Sequence, residues 1–387
     1  MSIQEARKTE EAREAPAPEA TQEPQAQQAQ QAPLDTAAQE AFAGRLVGVL
    51  NDALLALLAG VGHQCGLFDL LAELPPSTSA EIAGAAGLDE RYIREWLGGM
   101  VVGGFLEYEP ESRTYALPPE HAASLTTAAG TDNLAGMMPY VALLGEVEQQ
   151  VVRSFREGGG VPYSAYPRFQ ALQAQESARV YDAALVDTIV PLVPGLTERL
   201  RAGIDVLDMG TGQGHAPLVL AQAFPRSRFR GLDRSEEALA VARAEAGRRG
   251  VGNVDYVLAD STAVTGEYDL ITAFDVIHDL ARPAETLAAI AGALREGGTF
   301  LMGDIAASSR LEENIGHPLG PALYGFSVFY CMTTSLSTGG AGLGTVWGQQ
   351  TAERMLREAG FTDIATASVE GDPLNVYFIA RRSSAAS

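Results

Sequence analysis

The glycine-rich segment at residues 206–215 (VLDMGTGQGH) is the part of the chain best suited to bind a small molecule. Asp208 is followed by three glycines at alternate positions: Gly210, Gly212 and Gly214. Glycines let a backbone approach a ligand closely and adopt dihedral angles that other residues avoid. A dinucleotide-binding fingerprint, G-x-G-x-x-G, would need its third glycine where His215 stands. The spacing therefore favours a ligand with a zwitterionic amino-acid tail over a ligand with a pyrophosphate.

Four more acidic side chains follow apolar segments farther along the chain: Asp233, Asp260, Asp275 and Asp304. The apolar segments are typical of short strands and lie at residues 229–233, 254–258, 269–274 and 299–303. In such a sheet, the acid after the second strand accepts hydrogen bonds from both hydroxyls of a ribose. Any one of these acids, taken alone, is readily explained as a solvated loop residue or a helix cap. Their common position at strand ends indicates a ligand site.

The order of the elements around these acids defines the fold class. An apolar strand precedes the glycine turn, and an apolar helix at residues 216–224 follows it. A helix at residues 284–294 and a turn at residues 296–298 lead into the last of the strands. Strands that alternate with helices predict a parallel, doubly wound, Rossmann-like α/β sheet, with ligands bound at the carboxyl ends of the strands.

The front part of the chain predicts a mainly helical winged-helix domain. A long helix at about residues 37–58 precedes a short helix that begins near Ser77, where hydroxyl side chains are available as N-caps. A second short helix, at residues 90–102, has one apolar face. Strands at residues 103–108 and 114–117 complete the wing.

Two functions compete for this winged helix: reading DNA, and dimerisation combined with closure over a substrate. In a DNA reader the second helix enters the major groove with a face rich in arginine and lysine. Here Arg91 and Arg94 are opposed by three acids, Asp89, Glu90 and Glu95. Because phosphate neutralisation supplies most of non-specific DNA affinity, the sequence favours dimerisation.

Four stretches resemble known methyltransferases. Residues 208–214 resemble motif I of the class I S-adenosylmethionine (SAM)-dependent enzymes. GLFDLL at 66–71 and SAEIAGAAGLDERYIREWLGGMVVGGFLEY at 79–108 resemble the dimerisation and lid domain of small-molecule O-methyltransferases. Residues 304–348 resemble bacterial winged-helix class I methyltransferases of the mycobacterial type. The resemblance extends from about residue 40 to the C-terminus. It implies a seven-stranded sheet completed by an antiparallel hairpin at residues 365–369 and 376–380.

The resemblance implies a SAM-dependent methyltransferase (EC 2.1.1.-) of secondary metabolism. The predominantly apolar candidate pocket residues favour a small lipophilic or aromatic acceptor, with oxygen as the expected atom and nitrogen and carbon as open alternatives. A SAM-responsive winged-helix transcriptional regulator is the alternative function. The implied cofactor-binding residues are Asp208, Gly210, Thr211, Gly212, Gly214, Asp233, Arg234, Asp260, Ser261, Phe274 and Asp275. The candidate acceptor residues are Tyr163, His317, Tyr324, Tyr330, Met332 and Trp347.

His278 is the candidate catalytic residue. In the small-molecule O-methyltransferases a histidine opens an H-D-W segment at this place and removes the proton of the acceptor hydroxyl. Here His278 and Asp279 match that segment, but Leu280 replaces the tryptophan. A base with a pKa near neutrality suits this step. The alternative is a structural histidine that caps the following helix.

Composition narrows the partners and the cellular location. The net charge of −22 argues against a general affinity for nucleic acid or anionic membranes. The two cysteines, Cys65 and Cys331, are far apart, so the sequence predicts neither a disulfide framework nor a metal site. No signal peptide or membrane span is expected, which favours a cytoplasmic location. A homodimer is expected from the winged-helix segment at residues 37–125. The predicted division is a disordered tail (1–34), a winged-helix dimerisation and lid domain (35–125), a helical connector (126–200) and a SAM-binding domain (201–387).

Overall fold

The structure is a computed structural model that describes residues 34–370, 372 and 374–382. Apart from residue 34, the tail predicted to be disordered lies outside the described residues. The chain from Leu50 onward belongs to one compact unit, and the helical turns before Leu50 belong to another.

The front part of the described chain is helical, with one small antiparallel sheet. Thr78 begins the third helix with a capping box, in which Thr78 and Glu81 each accept the other's backbone N–H. The wing strand predicted from residue 103 begins only at Glu107, because residues 103–106 form the turn that ends the fourth helix. The elements are α1 (Thr36–Gln64), α2 (Leu67–Glu73), α3 (Ser79–Ala86), α4 (Glu90–Val102), β1 (Glu107–Glu109), β2 (Thr114–Ala116) and α5 (Pro119–Leu125).

Helices α2, α3 and α4 enclose a core of their own. Phe68, Ile82, Leu97 and Met100 are fully buried in it. The indole of Trp96 packs against this core and donates a hydrogen bond to the carbonyl oxygen of Leu58 at 2.8 Å. Each large apolar side chain buried in this way contributes about 1.5–3 kcal/mol to stability, which keeps the winged helix folded around its turns.

Four α-helices lie between the winged helix and the large sheet in the sequence: α6 (Pro139–Gly145), α7 (Glu148–Glu157), α8 (Phe169–Ala184) and α9 (Leu196–Ala202). A loop at residues 158–168 joins α7 to α8. Its Gly160 lies so close to the backbone of Thr333 that an added Cβ would clash with the Thr333 carbonyl oxygen. The backbone N–H of Val161 donates to the Thr333 hydroxyl at 3.0 Å. This loop is therefore docked against the C-terminal part of the chain.

The C-terminal part forms a seven-stranded sheet in the order β5-β4-β3-β6-β7-β9-β8. Strands β5, β4, β3, β6 and β7 pair in parallel, whereas β9 is antiparallel to both β7 and β8. The predicted doubly wound seven-stranded fold is thus confirmed. The strands are β3 (Asp205–Met209), β4 (Arg228–Asp233), β5 (Val254–Leu258), β6 (Tyr268–Phe274), β7 (Leu294–Ile305), β8 (Phe361–Ala367) and β9 (Asn375–Arg382).

Helices cover both faces of this sheet and fix where its strands end. The central strands are buried on both faces, which explains their continuous apolar sequences. The turn predicted at residues 296–298 instead lies inside β7, where the pairing with β6 shifts register between Tyr268 and Leu270. The helices are α10 (His215–Ala223), α11 (Glu236–Arg249), α12 (Pro283–Ala293), α13 (Leu311–Asn314), α14 (Gly320–Phe326), α15 (Met332–Ser337) and α16 (Gly348–Glu358).

Helix α1 differs from the other helices in its exposed apolar surface. Leu54, Leu57 and Val61 are exposed, and so are Phe42 and Leu46 in the turns before Leu50. Within the described part of the chain, α1 is the one unbroken helix that is long and apolar enough to cross a membrane by length and composition. The expectation of no membrane span thus has one candidate segment against it by length and composition, because small residues between the leucines extend the apolar stretch.

Candidate active site

The loop between β3 and α10 presents its backbone at the carboxyl ends of the strands. Gly212 has φ 54°, and a Cβ added there would meet nothing within 4 Å. Gly214 has φ 74°, and a Cβ added there would lie 2.4 Å from the ring of Tyr256. Gly212 therefore borders open space. Gly214, which has no Cβ, lets α10 begin in close contact with Tyr256 of β5.

Asp208 and Asp233, in β3 and β4, hold this loop from two sides. Asp208 is buried and accepts a hydrogen bond from the Thr272 hydroxyl at 2.6 Å. Burial raises the pKa of Asp208 to about 6, although the hydrogen bond opposes the shift. Asp233 accepts the backbone N–H groups of Gly212 at 2.8 Å and Ser235 at 2.9 Å. Its carboxylate is fixed beside the loop, with lone pairs left for a ligand.

Asp260 and Asp275 follow the next two strands and differ in environment. Asp260 is largely exposed and accepts from Arg282 at 2.8 Å; hydrogen bonds from Thr262 and this arginine hold its pKa below the usual value. Asp275 has φ 54°, and its buried Oδ1 has no hydrogen-bond donor. Burial, reinforced by Asp304, raises the pKa of Asp275 to about 7. An unusual backbone that holds an unpartnered buried acid indicates a position built to meet a ligand.

A cavity of about 1340 Å³ joins these acids to the helices in front of the sheet. Of the predicted cofactor-binding residues, Gly214 does not line this cavity, because it packs against Tyr256. The others all line it: Asp208, Gly210, Thr211, Gly212, Asp233, Arg234, Asp260, Ser261, Phe274 and Asp275.

The remaining wall of the cavity is apolar and aromatic. Its side chains come from the segment before α6, from α6, α8 and α14, and from the π-helical turn Ser327–Cys331. The rings pack against one another, as in the stacked pair Phe169–Tyr330 and the edge-to-face pair Tyr140–Phe326. The main apolar lining residues are Met137, Tyr140, Leu144, Phe169, Leu319, Leu323, Phe326, Phe329 and Tyr330.

His278 lies in the cavity wall and is only 3% exposed. Its Nδ1 is 2.8 Å from Oδ1 of Asp304, and its Nε2 is 3.3 Å from Oδ1 of Asp279. The Trp347 indole N–H donates to the same Asp304 oxygen at 3.0 Å. Burial lowers the pKa of His278, but the carboxylates of Asp304 and Asp279 outweigh that effect and hold the pKa well above its ordinary value.

The predicted acceptor residues do not all meet at the cavity. Tyr163 and Tyr330 line it in edge-to-face contact, with the Arg234 guanidinium 4.4 Å from the Tyr163 ring centroid. Four others do not line it: His317, Tyr324, Met332 and Trp347.

For each of these four residues, a local feature explains why it does not line the cavity. His317 lines a separate small cleft, where its Nδ1 accepts the backbone N–H of Leu319. Tyr324 is 38% exposed and lies on the outer side of α14. Met332 begins α15 after the π-helical turn, beyond Cys331, which is the last cavity residue of that turn. Trp347 is buried behind the cavity, because its indole is used to hold Asp304.

Several cavity residues were not among the predicted site residues. Asp279 and Cys331 lie beside His278, and Tyr181 and Tyr377 lie near Asp275. The position of Asp279 directly after His278 was one available signal. No comparable signal exists for Cys331, because only the tertiary fold brings it to His278.

Comparisons with known proteins agree with this architecture. Residues 53–127 match the family described as Rv2258c-like winged HTH domain, and residues 200–360 match the family described as methyltransferase domain. Mitomycin 7-O-methyltransferase MmcR has a similar fold, with a TM-score of 0.66, 18% identity, and coverage of 89% of this chain and 99% of that one. Human N-acetylserotonin methyltransferase in complex with SAM gives a TM-score of 0.64 at 19% identity, covering 88% and 98%.

Curated relatives match a shorter region. The trans-aconitate 2-methyltransferase of Streptomyces avermitilis is 30% identical over 33% of this chain and 54% of its own length. The ubiquinone biosynthesis O-methyltransferase of Thiobacillus denitrificans is 35% identical over 29% of this chain and 45% of its own length. The chain thus spans about half the length of the curated relatives it matches. Residues 53–127 thus belong to a winged-HTH match and residues 200–360 to a methyltransferase-domain match, and the fold resembles that of the solved methyltransferases.

Proposed function

We propose that this chain is a SAM-dependent methyltransferase that methylates an oxygen of a small lipophilic or aromatic molecule. The observation that carries the proposal is the one cavity with two linings, polar strand ends on one side and aromatic rings on the other. Its volume of about 1340 Å³ exceeds the roughly 300–1,000 Å³ of pockets for a single small ligand. The cavity therefore has room for a cofactor and an acceptor together.

The polar lining fits SAM by its hydrogen-bonding chemistry. The Thr211 hydroxyl and Oδ1 of Asp275 are buried without partners, so a polar ligand would satisfy them. In the proposed complex Asp233 accepts the ribose hydroxyls, Asp260 accepts the adenine amino group, and the loop at Gly212 borders the amino-acid tail. Bound SAM would supply a methyl group activated on a sulfonium sulfur.

His278 is proposed as the base that takes the proton of the acceptor hydroxyl. The Asp304 carboxylate accepts the Nδ1–H, so Nε2 is the nitrogen that faces the acceptor. Trp347 holds that carboxylate in place. The alternative role as a helix cap is disfavoured because Nδ1 bonds a carboxylate instead of a helix end. Because its pKa is raised, the imidazole keeps its proton to higher pH than an ordinary histidine, so higher pH or a nearby positive charge favours the basic form.

The aromatic lining is proposed to select the acceptor and exclude water. Positioning of two reactants in a dry cavity supplies much of the rate acceleration in a displacement reaction. The loop that carries Tyr163 closes one side of the cavity, since the Tyr163 hydroxyl donates to the backbone oxygen of Asp279 at 3.4 Å. Apolar phenols are therefore the expected acceptors.

A transfer assay tests this function directly. The full chain is incubated with SAM labelled on the methyl group and with a panel of lipophilic phenols, and the label is counted in an organic extract. The matched controls are the same compounds with the hydroxyl already methylated. Label in the phenols alone supports O-methylation. Equal label in the methylated controls, or no transfer to any phenol, contradicts it.

The winged helix is proposed to dimerise and cover the substrate instead of reading DNA. On α4, Arg91 pairs with Glu95 and Arg94 pairs with Glu90, so both cations are matched by carboxylates. The proposed domains are 35–125 for dimerisation and lid, 126–200 for the connector and 201–387 for SAM. Specific retention of the chain's own upstream DNA in a gel shift at physiological salt would favour the regulator instead.

Helix α1 is proposed to supply the apolar contact between two copies of the chain. The exposed Leu50, Leu54, Leu57 and Val61 recur at helical spacing, so a second copy would bury them. We further propose a cytoplasmic enzyme of secondary metabolism. Light scattering at micromolar concentration is expected to report a dimer, and Leu54→Glu with Leu57→Glu a monomer. A monomeric parent, or a parent that sediments with lipid vesicles, would contradict this assignment.

A further inference from the structure

The wall of the cavity behind His278 holds more carboxyl groups than cationic partners for them. Three carboxylates, those of Asp275, Asp279 and Asp304, surround the single imidazole. An uncompensated charge in a low-dielectric interior is costly, and proteins normally pair it or bind a metal with it.

Unpartnered polar atoms concentrate at the same place. Eight buried side-chain nitrogen or oxygen atoms of the described residues lack a hydrogen-bond partner. Four of them belong to this cluster, and buried polar atoms without partners are rare enough to need an explanation. These four are Asp275 Oδ1, Asp279 Oδ1, Asp304 Oδ2 and Thr345 Oγ1.

Three potential metal ligands lie close together in this cluster, although the sequence predicted no metal site. The atoms of His278, Asp279 and Cys331 that can bind a metal all lie within 4.8 Å of one another. Nε2 of His278 is 3.3 Å from Oδ1 of Asp279. Neighbouring ligand atoms of a tetrahedral zinc ion are about 3.3–3.7 Å apart, given bonds of about 2.0–2.3 Å. One ligand pair already has that spacing, and the others need to close by at most about 1 Å.

The surroundings of His278 match those of a metal-bound histidine. Such a histidine typically donates its other ring N–H to a carboxylate, which fixes the tautomer and the ring orientation. Here Nδ1 of His278 bonds Asp304, and Asp304 also accepts the backbone N–H of Ile305 and the indole N–H of Trp347. Nε2 is thereby left for the cation.

We propose that His278, Asp279 and Cys331 bind one zinc-type divalent cation whose fourth position opens into the cavity. One sulfur, one nitrogen and one oxygen ligand favour zinc or cobalt over magnesium or calcium. All three residues line the cavity, so an ion can enter there and its open position can hold water. Binding displaces the protons of the Cys331 thiol and of Nε2 of His278 to solvent, because the thiolate and the neutral imidazole are the ligand forms.

This proposal is independent of the transferase assignment, because metal binding needs neither cofactor nor acceptor. It does have a consequence for that assignment. A cation on Nε2 withdraws His278 from proton acceptance, so zinc at saturating concentration is expected to inhibit a transfer in which His278 is the base.

The test is calorimetric titration of the chelator-treated, reduced full chain with zinc chloride. One zinc ion per chain is expected for the parent and for Cys65→Ser, the matched control at the exposed cysteine. Cys331→Ser should bind zinc at least about tenfold more weakly, with its fold checked by thermal melting. Magnesium chloride should give no binding. No zinc binding by the parent, or equal affinity in Cys331→Ser, would overturn the proposal.

A spectrum of the parent avoids dependence on how the variant folds. Cobalt(II) at this site should give the near-ultraviolet thiolate-to-cobalt charge-transfer band, and Cys65→Ser should keep that band. Bound cobalt without the band would show that Cys331 is not a ligand. That outcome would overturn the metal assignment. The carboxylates would then be expected to pair with a cationic group of a small-molecule ligand.

Discussion

The strand-end wall and the helical wall of the cavity are built on different physical principles. The strand-end wall is set by backbone: parallel strands bring Asp208, Asp233 and Asp275 to one edge, and Gly212 leaves space beside them. The helical wall is set by side-chain packing, as in the aromatic contacts of Tyr140, Phe169 and Tyr330. A backbone-defined site suits one fixed ligand, whereas a packed aromatic wall suits a ligand that differs among related enzymes. Variants of the two walls should therefore separate cofactor binding from acceptor binding.

The largest effect is expected at His278, where the strand-end wall meets the helical wall. His278→Ala should lower the transfer rate by roughly 10²–10⁴-fold, because it removes the proposed base, while cofactor affinity stays nearly intact. The parent rate should rise with pH through a pKa above the ordinary histidine value, since only neutral imidazole accepts a proton. His121→Ala, outside the cavity, is the control. A His278→Ala rate within a few-fold of the parent would remove the residue from the mechanism.

The second prediction concerns pH and the buried acid of the strand-end wall. Burial gives Asp208 a pKa of about 6 in the folded chain. Because this pKa is raised on folding, protonation favours the folded state; that stabilisation is complete below about pH 4 and is lost as the pH rises through about 6. The difference between this pKa and the ordinary value of an aspartate corresponds to roughly 2–3 kcal/mol of unfolding free energy.

Asp208→Asn removes this titration. As the pH rises from 4 to 7, the free energy of unfolding of the parent should fall by roughly 2–3 kcal/mol through this titration. The variant should not show that fall. Denaturant unfolding at each pH measures the difference, with the exposed Glu120→Gln as the control. Parallel pH curves for Asp208→Asn and the parent would show that Asp208 does not titrate in this range.

The third prediction tests the strand-end wall without disturbing the helical wall. Asp233→Ala should weaken binding of S-adenosylhomocysteine by about 1–3 kcal/mol, because it removes a charged acceptor for the ribose hydroxyls. Asp255→Ala, an exposed acid on the neighbouring strand outside the cavity, is the control. Unchanged affinity in Asp233→Ala would mean that the ribose lies elsewhere.

The smallest effect is expected in the helical wall. Phe326→Leu should raise the KM for a phenolic acceptor by a factor of about 2–10, because it removes an aromatic contact of about 0.5–1.5 kcal/mol. Its affinity for S-adenosylhomocysteine should not change. Phe155→Leu, at an exposed ring outside the cavity, is the control. A loss of cofactor affinity in Phe326→Leu would break the distinction between the two walls.

The same distinction explains what the sequence could predict. Strand ends were predictable because buried parallel strands are continuous apolar runs, and the acids after them must share one edge of the sheet. Four of the six acceptor residues were misplaced, because position in the chain does not say which face of a helix meets a cavity. Tyr330 and Met332 are two residues apart, yet one lines the cavity and the other begins the next helix. The indole of Trp347 was assigned to the acceptor, but it holds Asp304.

The cluster at His278 shows a further limit of sequence reasoning. Two cysteines far apart in the sequence gave no metal-binding spacing, yet the fold places Cys331 beside His278 and Asp279. The π-helical turn Ser327–Cys331 makes this contact, and no local signal predicts its extra residue.

The most direct test of the central proposal is calorimetric titration of the purified, cofactor-free full chain with S-adenosylhomocysteine. The two-walled cavity predicts one molecule bound per chain by the parent, with weaker binding in Asp233→Ala and parent-like binding in Phe326→Leu. No binding by the parent would contradict the assignment of the strand-end wall to SAM, and the proposed methyltransferase function would fail with it.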